Sequence, residues 1–338
     1  MAAAQTKIPP EEGNAMPRDQ LRICSLTQPG TRWQPLPPGT GQGQLEYAQL
    51  FPGVLFSHLR FEGTSLPHHH PPHGSALELT YCRRGRVGWQ MQTALYLGPG
   101  DLALHPRDCC AHSTLRFPLD YYEGFSLSLD PARLADHLPP VLAQAGGSPH
   151  RLLADFCPQG KPVGFPAQTA LEAIFLPLYD LPAPLRLPYY ILKVQELLLT
   201  LPRLNLPAGD APQYPAQQVE TVRIIHDRLM AHPDQRITIE ALAREYHLNT
   251  STLKAVFKGV YGQPIAAHMK RHRMEEAARL LRETDRSVGD IAQQVGYENQ
   301  SKFSTVFRAL YQHLPTEYRR QQRGQASTDQ KKDWDTPD

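Results

Sequence analysis

Two groups of residues in this 338-residue chain have the types and spacing to do chemistry. The first comprises Ser251, Lys254, Ala255 and Lys258, then Gln300, Ser301, Lys302, Ser304, Thr305 and Arg308. Hydroxyl, amide and cationic heads along one helix face are the groups that meet base edges and phosphates in a DNA major groove. The second is a histidine-rich stretch, Pro67-His-His-His-Pro-Pro-His73, followed by Glu78, His105 and His112. Imidazoles with a carboxylate suit Fe, Mn, Zn or Ni. Pro71-Pro72 distort the spacing between the histidines and Glu78. A small organic effector is therefore the preferred occupant, lined by His68, His70, Glu78, Tyr81, Trp89 and Tyr96. Alternation along a strand decides which of these face a common cavity.

The first group is positioned by a repeat. Leu242-Ala243 matches Ile291-Ala292 at an offset of 49, and Val256-Phe257 matches Val306-Phe307 at 50, so the second copy has one extra residue in its turn. Each copy reads as helix, tight turn, helix, the pattern of a helix-turn-helix. In the first copy Thr238 is the expected N-cap and Glu240 puts negative charge in the first turn. Leu242, Ala243 and Tyr246 are expected inside, Leu248 in the turn and Asn249 as the next cap, with Leu253, Val256 and Phe257 buried. Pro264 opens a long strut to about Glu283, carrying Ile265, Met269, Ala277 and Leu281 inward. Arg271 and Arg273 on this strut are open to phosphate contact, an internal ion pair or simple solvation. In the second copy Ile291, Ala292, Val295 and Tyr297 are expected inside, with Gly296 supplying a left-handed turn. Its second helix spans about Asn299 to Tyr311, with Phe303, Val306 and Phe307 in the core.

Length predicts two domains in an α+β chain. Residues 1–20 are expected to be disordered, 21–202 a sensor and dimerisation domain, 203–215 a linker, 216–320 the helical domain and 321–338 a disordered tail. Short apolar runs between Gly and Pro turns predict a small barrel or sandwich over about 45–130. Helices are expected over about 167–202, broken by Pro177, Pro182, Pro184 and Pro188 before a helix from Tyr189, with one face packed on the sheet or sealing a dimer. Net charge is only +2, but residues 216–323 hold 17 Lys and Arg against 12 Asp and Glu, a net of +5 that suits phosphate. Five cysteines without metal-type spacing predict a reduced, cytoplasmic protein, and the adjacent Cys109-Cys110 is disfavoured as a disulfide. No signal-peptide core, membrane-length apolar run, nucleophile triad or phosphate loop is read, so no enzyme activity, cofactor or membrane partner is expected.

Ile291-Ala-x-x-x-Gly296-Tyr297, Phe303-Ser-x-x-Phe307-Arg and Pro315-Thr-Glu-Tyr318-Arg319 resemble the signature of the AraC/XylS family of bacterial transcription regulators. The resemblance covers roughly residues 216–320 and implies a seven-helix domain. That domain reads two successive major-groove segments about one helical turn, ~34 Å, apart. Position by position, it implies base contacts from Ser251, Lys254 and Ala255, and from Gln300, Ser301, Lys302, Ser304 and Thr305. Ala255 and Thr305 stand where relatives often have Arg, so base reading would lean on Lys254, Gln300 and Lys302. The histidine-rich strand and Pro99-Gly-Asp101 turn resemble cupin-type β-barrels, which form the sensor in many such regulators and in metal-binding members hold one ion. That resemblance would make His68, His70, Glu78 and either His105 or His112 the metal ligands. Together the resemblances imply a homodimeric, effector-controlled activator that engages promoter DNA and RNA polymerase. A metal- or redox-sensing regulator and a cupin-type metalloenzyme with a DNA-binding module are the alternatives.

Overall fold

A computed structural model describes residues 32–35, 41–69, 76–90, 93–110, 112–157, 160–203 and 212–332. The expected disordered start, His70, Cys24, most of the expected linker and the last six residues lie outside this description, as do the side chains of His68 and His112. The chain divides into two compact units, Met1–Trp89 with Pro99–Gly209 and Gln90–Gly98 with Asp210–Asp338. In chain order the strands are β1 (Arg32–Pro35), β2 (Gln42–Phe51), β3 (Val54–Glu62), β4 (Ser65–His69), β5 (Leu77–Gly85) and β6 (Val87–Gln90). They continue with β7 (Thr93–Leu97), β8 (Leu102–Pro106), β9 (His112–Arg116), β10 (Tyr121–Leu129), β11 (Val163–Phe165) and β12 (Gln213–Pro215).

The first unit is built on a seven-stranded sheet of order β1-β2-β3-β10-β5-β8-β11, with antiparallel neighbours throughout. Beside it, β4 pairs with β9, placing His69 opposite His112. Among the described residues the ladders stay open and no closed barrel forms, unlike the cupin-type expectation. The sheet ends in short edges, the three-residue β11 and a β1 that finishes at Pro35. Proline has no N–H to extend a ladder.

Alternation gives this sheet two faces of different chemistry. Leu77, Leu79 and Tyr81 join Ala48, Phe56, Leu102, Leu104, Phe125 and Leu127 in an apolar core. Helices α1 (Pro131–Asp136), α2 (Pro140–Gln144), α3 (Pro149–Phe156), α4 (Thr169–Phe175) and α5 (Ala183–Thr200) follow the strands. Phe175 and Tyr190 dock α4 and α5 on the core, their ring centroids 4.2 Å from Tyr81 and 4.3 Å from Phe56 respectively. Residues Glu78, Thr80 and Cys82, alternating with this set, are buried on the other face.

Helix α5 starts six residues before the helix read from Tyr189 and contains two of the prolines expected to break it. Pro184 falls in the first turn, where an N–H has no helical acceptor anyway. Pro188 forfeits only the bond to the carbonyl of Pro184, next to the helix start.

Glu123 on β10 is buried among cations. Its Oε1 accepts from Arg60 Nε at 3.0 Å and from Arg83 Nη1 at 3.3 Å, and His58 Nε2 stands 3.5 Å away. Burial alone would raise its pKa. The His58 hydrogen bond and the two guanidinium charges overturn that and bring it down to about 2. Arg83 also lies 3.5 Å over the ring of Tyr179, which fixes β5 against the segment leading into α5.

The second unit comprises β7, β12 and helices α6 (Ala216–Ala231), α7 (Ile239–Glu245), α8 (Thr250–Tyr261), α9 (Ile265–Glu283), α10 (Val288–Gln294), α11 (Gln300–Tyr311) and α12 (Pro315–Lys332). Residues 213–215, inside the expected linker, pair with β7 instead, Tyr214 opposite Ala94. The ring of Tyr214 lies on α8 where a Cβ on Gly259 would meet it at 2.3 Å. Helix α12 runs on to Lys332, past the expected order limit at Arg320. Tyr318 anchors its start in the core, and Gln, Arg, Ala and Lys propagate the helix with little side-chain cost.

A depressed carboxyl stabilises the fold above its unfolded pKa, and that stability disappears as pH falls toward the folded value. Thermal unfolding of the full chain should therefore lose stability as pH drops from about 4.5 toward 2. Glu123→Gln should lower stability at neutral pH and flatten that acid slope. An unchanged slope would show that Glu123 is not its source.

Candidate functional site

Both halves of the repeat fold as the spacing dictates. Thr238 Oγ1 accepts from the backbone N–H of Ala241 at 3.1 Å and starts α7. Asn249 Oδ1 accepts from that of Thr252 at 2.7 Å and starts α8. In the second copy Ser287 and Asp290 form a capping box on α10, and Asn299 Oδ1 caps α11 through the N–H of Lys302 at 3.0 Å. Leu242, Ala243, Leu253, Val256 and Phe257 are buried, as are Ile291, Ala292, Val295, Phe303 and Phe307. Tyr246, Leu248, Tyr297 and Val306, expected inside, are half-buried.

The turns reverse the chain through one left-handed residue each. In the second turn it is Gly296, at φ 82°, and in the first it is His247, at φ 53°. The following N–H closes the turn identically in both, Leu248 to the carbonyl of Ala243 at 2.9 Å and Tyr297 to that of Ala292 at 2.8 Å. The extra residue of the second copy follows as Glu298, whose carboxylate lies 3.2 Å from Arg236. His247 escaped the sequence reading because histidine does not announce a positive φ as glycine does.

The outward face carries the residues read for DNA. Ser251, Lys254, Ala255 and Lys258 are exposed on α8, and Gln300, Ser301, Lys302, Thr305 and Arg308 are exposed on α11, with Ser304 half-buried. Two hydroxyls on these helices already have partners. Ser251 Oγ donates to Asn249 Oδ1 at 2.7 Å, and Thr305 Oγ1 donates to the carbonyl of Ser301 at 2.9 Å. Each can still accept from a base amino group. The cationic and amide heads of Lys254, Lys258, Gln300, Lys302 and Arg308 dominate the face.

Arg273 takes a role outside the alternatives read for it, bonding backbone carbonyls rather than a carboxylate. Its Nε donates to the carbonyl of Pro233 at 2.7 Å and its Nη2 to that of Gln235 at 3.2 Å. Burial lowers its pKa from the usual arginine value. Arg236, from the same loop, donates to the carbonyl of Gly296 at 3.2 Å. The two guanidinium groups thus tie the strut, the loop ahead of the first copy and the turn of the second. Arg271 pairs with Glu275 at 3.6 Å on the exposed side.

A partly buried histidine relay joins α6 to α9, and no sequence signal pointed to it. Gln263 Nε2 donates to His268 Nδ1 at 3.0 Å, and His268 Nε2 lies 3.1 Å from His226 Nε2. His226 Nδ1 lies 3.3 Å from Asp227 Oδ1. With an amide donor on its Nδ1, His268 carries its proton on Nε2 and gives it to His226, which in turn donates to Asp227. Burial, then the neighbouring charges of His226, Arg271 and His272, hold His268 down to about 3.

The residues read for an effector separate. Glu78 and Trp89 are buried. Tyr81 faces the opposite way from Glu78, into the helical core against Phe175, because odd and even positions of β5 point to opposite faces. It therefore does not line a cavity with Glu78. Tyr96 is half-buried on β7. Of the metal candidates, Glu78 and His105 are cross-strand partners, and Cys110 approaches both. Cys109-Cys110 lies on a 3-10 turn rather than a strand; both are free thiols, Cys109 half-exposed and Cys110 buried.

Two helix-turn-helix copies on a shared strut, each with a polar outer helix, define a DNA-binding domain of the tandem helix-turn-helix class. A family model described as "Helix-turn-helix domain" matches residues 242–321. The regulatory protein SoxS of Escherichia coli K12 is 34% identical over 88 residues, covering 26% of this chain and 82% of SoxS. The chain belongs to the AraC/XylS family of transcription regulators. The transcriptional regulator AlkR of Acinetobacter baylyi is 29% identical over 91 residues, covering 27% of this chain but only 30% of AlkR. Among solved structures, the C-terminal domain of AraT, a response regulator from Geobacillus stearothermophilus, is 31% identical. It covers 30% of this chain and 84% of that one, with a TM-score of 0.29. No described helix is long and apolar enough to cross a membrane.

Gly296→Ala should cost about 2 kcal/mol or more, because a left-handed backbone penalises Cβ and the added methyl would stand near the carbonyl of Pro233. His247→Gly should change stability by less than about 1 kcal/mol, since relieved strain and added chain entropy oppose each other. Denaturant unfolding of both variants measures the contrast. For His268 the unfolded chain takes up the proton first, so stability should fall as pH drops below about 6.5. Amide protection factors in α6 and α9, taken relative to the intrinsic exchange rate at each pH, should fall over that range, and His268→Gln should remove that fall.

Proposed function

We propose that the chain is a one-component transcription regulator in which the second unit binds promoter DNA and the first unit binds a small molecule that controls it. The observation that carries this reading is the pair of exposed helical faces, Lys254 to Lys258 and Gln300 to Arg308, hung on one strut by Arg273. A charge of +5 over residues 216–323 supplies nonspecific phosphate attraction. Lys254, Gln300 and Lys302 supply base discrimination, since Ala255 has no hydrogen-bonding head and Thr305 is short.

In this reading α11 and α8 enter successive major-groove segments, and the first unit is a cupin-like sensor built on the open sheet. The polar face opposite the helices, with Glu78, Thr80, Ser126 and Trp89, supports an effector with hydrogen-bonding groups. Trp89 Nε1 is buried there without a hydrogen-bond partner among the described residues. Leu185, Tyr189 and Leu192 are exposed on α5 at helical spacing, which supports a homodimer through that helix. The protein then acts in the cytoplasm, as an activator that touches RNA polymerase, without catalysing a reaction. Any effector must bind two states of the regulator with different affinity to have an effect.

Fluorescence anisotropy with promoter fragments at physiological salt tests the central claim. Preference for one fragment over bulk competitor supports it, and equal binding to all fragments sinks it. Gln300→Ala should cost about 1–3 kcal/mol on the preferred site and relax one base position, with little change on scrambled DNA. A uniform loss on both would assign Gln300 to phosphate contact instead.

A further inference from the structure

We propose that Glu78, His105 and Cys110 form a binding site for a divalent transition-metal ion of the zinc class. Their donor atoms lie within 4.8 Å of one another, and all three residues are buried. The sheet creates the cluster. Glu78 on β5 and His105 on β8 sit directly opposite in register. Facing pairs in antiparallel strands hold their Cβ atoms about 4.5–5.5 Å apart. The 3-10 turn Arg107–Cys110 leaves β8 and swings the third donor back, with Cys110 Sγ 3.8 Å from Glu78 Oε2 and 3.2 Å from the carbonyl of Arg107.

The state of His105 points to an ion. Its Nδ1 lies 3.2 Å from the carbonyl of Pro106, which can only accept, so Nδ1 carries the proton. Nε2 then presents a bare lone pair. It is buried and has no hydrogen-bond partner among the described residues, in a side chain only 1% exposed. A buried imidazole acceptor left unmet is costly. An imidazole that donates one nitrogen to a backbone carbonyl and leaves the other bare has the arrangement usual for a metal-ligating histidine.

Charge and distance agree. A carboxylate and a thiolate balance a dication, so an occupied site is neutral and suits a buried position. Cys110 gives up its proton to solvent as the ion enters. Zinc bonds of about 2.0–2.3 Å in a tetrahedron require donors roughly 3.3–3.8 Å apart. The Glu78–Cys110 separation already meets this, and small side-chain rotations close the rest. One sulfur, one nitrogen and one oxygen favour Zn2+ or Co2+ over Ca2+ or Mg2+, which take oxygen. The fourth position falls to water or to a small ligand. This set keeps two residues from the histidine-rich reading and replaces the others with a cysteine that the sequence offered only as half of an adjacent pair.

The experiment is a Co2+ titration of the full chain after dialysis against chelator, followed by absorbance. One equivalent should bind, with a near-ultraviolet thiolate-to-cobalt band that Zn2+ bleaches. Cys109→Ser should keep the band, and Cys110→Ser should abolish it. His105→Gln should keep the thiolate but weaken Co2+ binding about tenfold or more. This variant carries the test if Cys110→Ser fails to fold by circular dichroism. Absence of a cobalt band in the wild-type chain, persistence of the band in Cys110→Ser, or unchanged affinity in His105→Gln would each overturn the site. The readout needs no DNA, so the site and the regulator reading stand or fall separately.

Discussion

The geometry of the helical unit depends on one arginine. Arg273, mid-strut, satisfies two carbonyls of the loop that leads into the first copy. That loop passes against Gly296 and sends Arg236 to its carbonyl. Neither half of the repeat is therefore free to choose its orientation on the strut. Two short helical pairs would otherwise hinge about α9, and a protein that reads two grooves of one duplex cannot tolerate such freedom. Charge-assisted bonds in a partly buried site are stiff, and removing the donor would strand two carbonyls. Lysine at this position would offer a point charge where a fork is required.

The helical unit was legible because its signals are local and doubled. A cap residue and an apolar pair recur at nearly constant offset, and each copy checks the other. The exposed faces of α8 and α11 follow directly from that period. What the sequence concealed depends on tertiary contact. The loop bonds of Arg273 and the His226–His268 contact join residues about forty apart, and no spacing rule connects them. His247 shows a second kind of blindness, in which a position needs a left-handed backbone and tertiary packing accepts a residue that does not advertise it.

In the first unit the strands were readable and their facing was not. Tyr81 and Glu78 looked like neighbours in one cavity, yet a separation of three residues in a strand puts them on opposite faces. The two prolines near the start of α5 misled for a related reason, because the harm proline does depends on whether its N–H was needed. The extended helix of α12 shows propensity carrying an element beyond its packed start. Cys110 gained meaning only when the turn after β8 carried it back to its cross-strand neighbours.

The two-faced character of β5 limits how this unit can change over time. Point substitutions along the strand alter one face and leave the other alone. Insertion or deletion of a single residue would exchange the faces beyond it, driving Glu78 toward phenylalanine rings and Leu79 into the polar side. Ligand preference can thus diversify by side-chain replacement at even-numbered positions, while strand length is frozen. Variation in length is tolerated only outside the ladder.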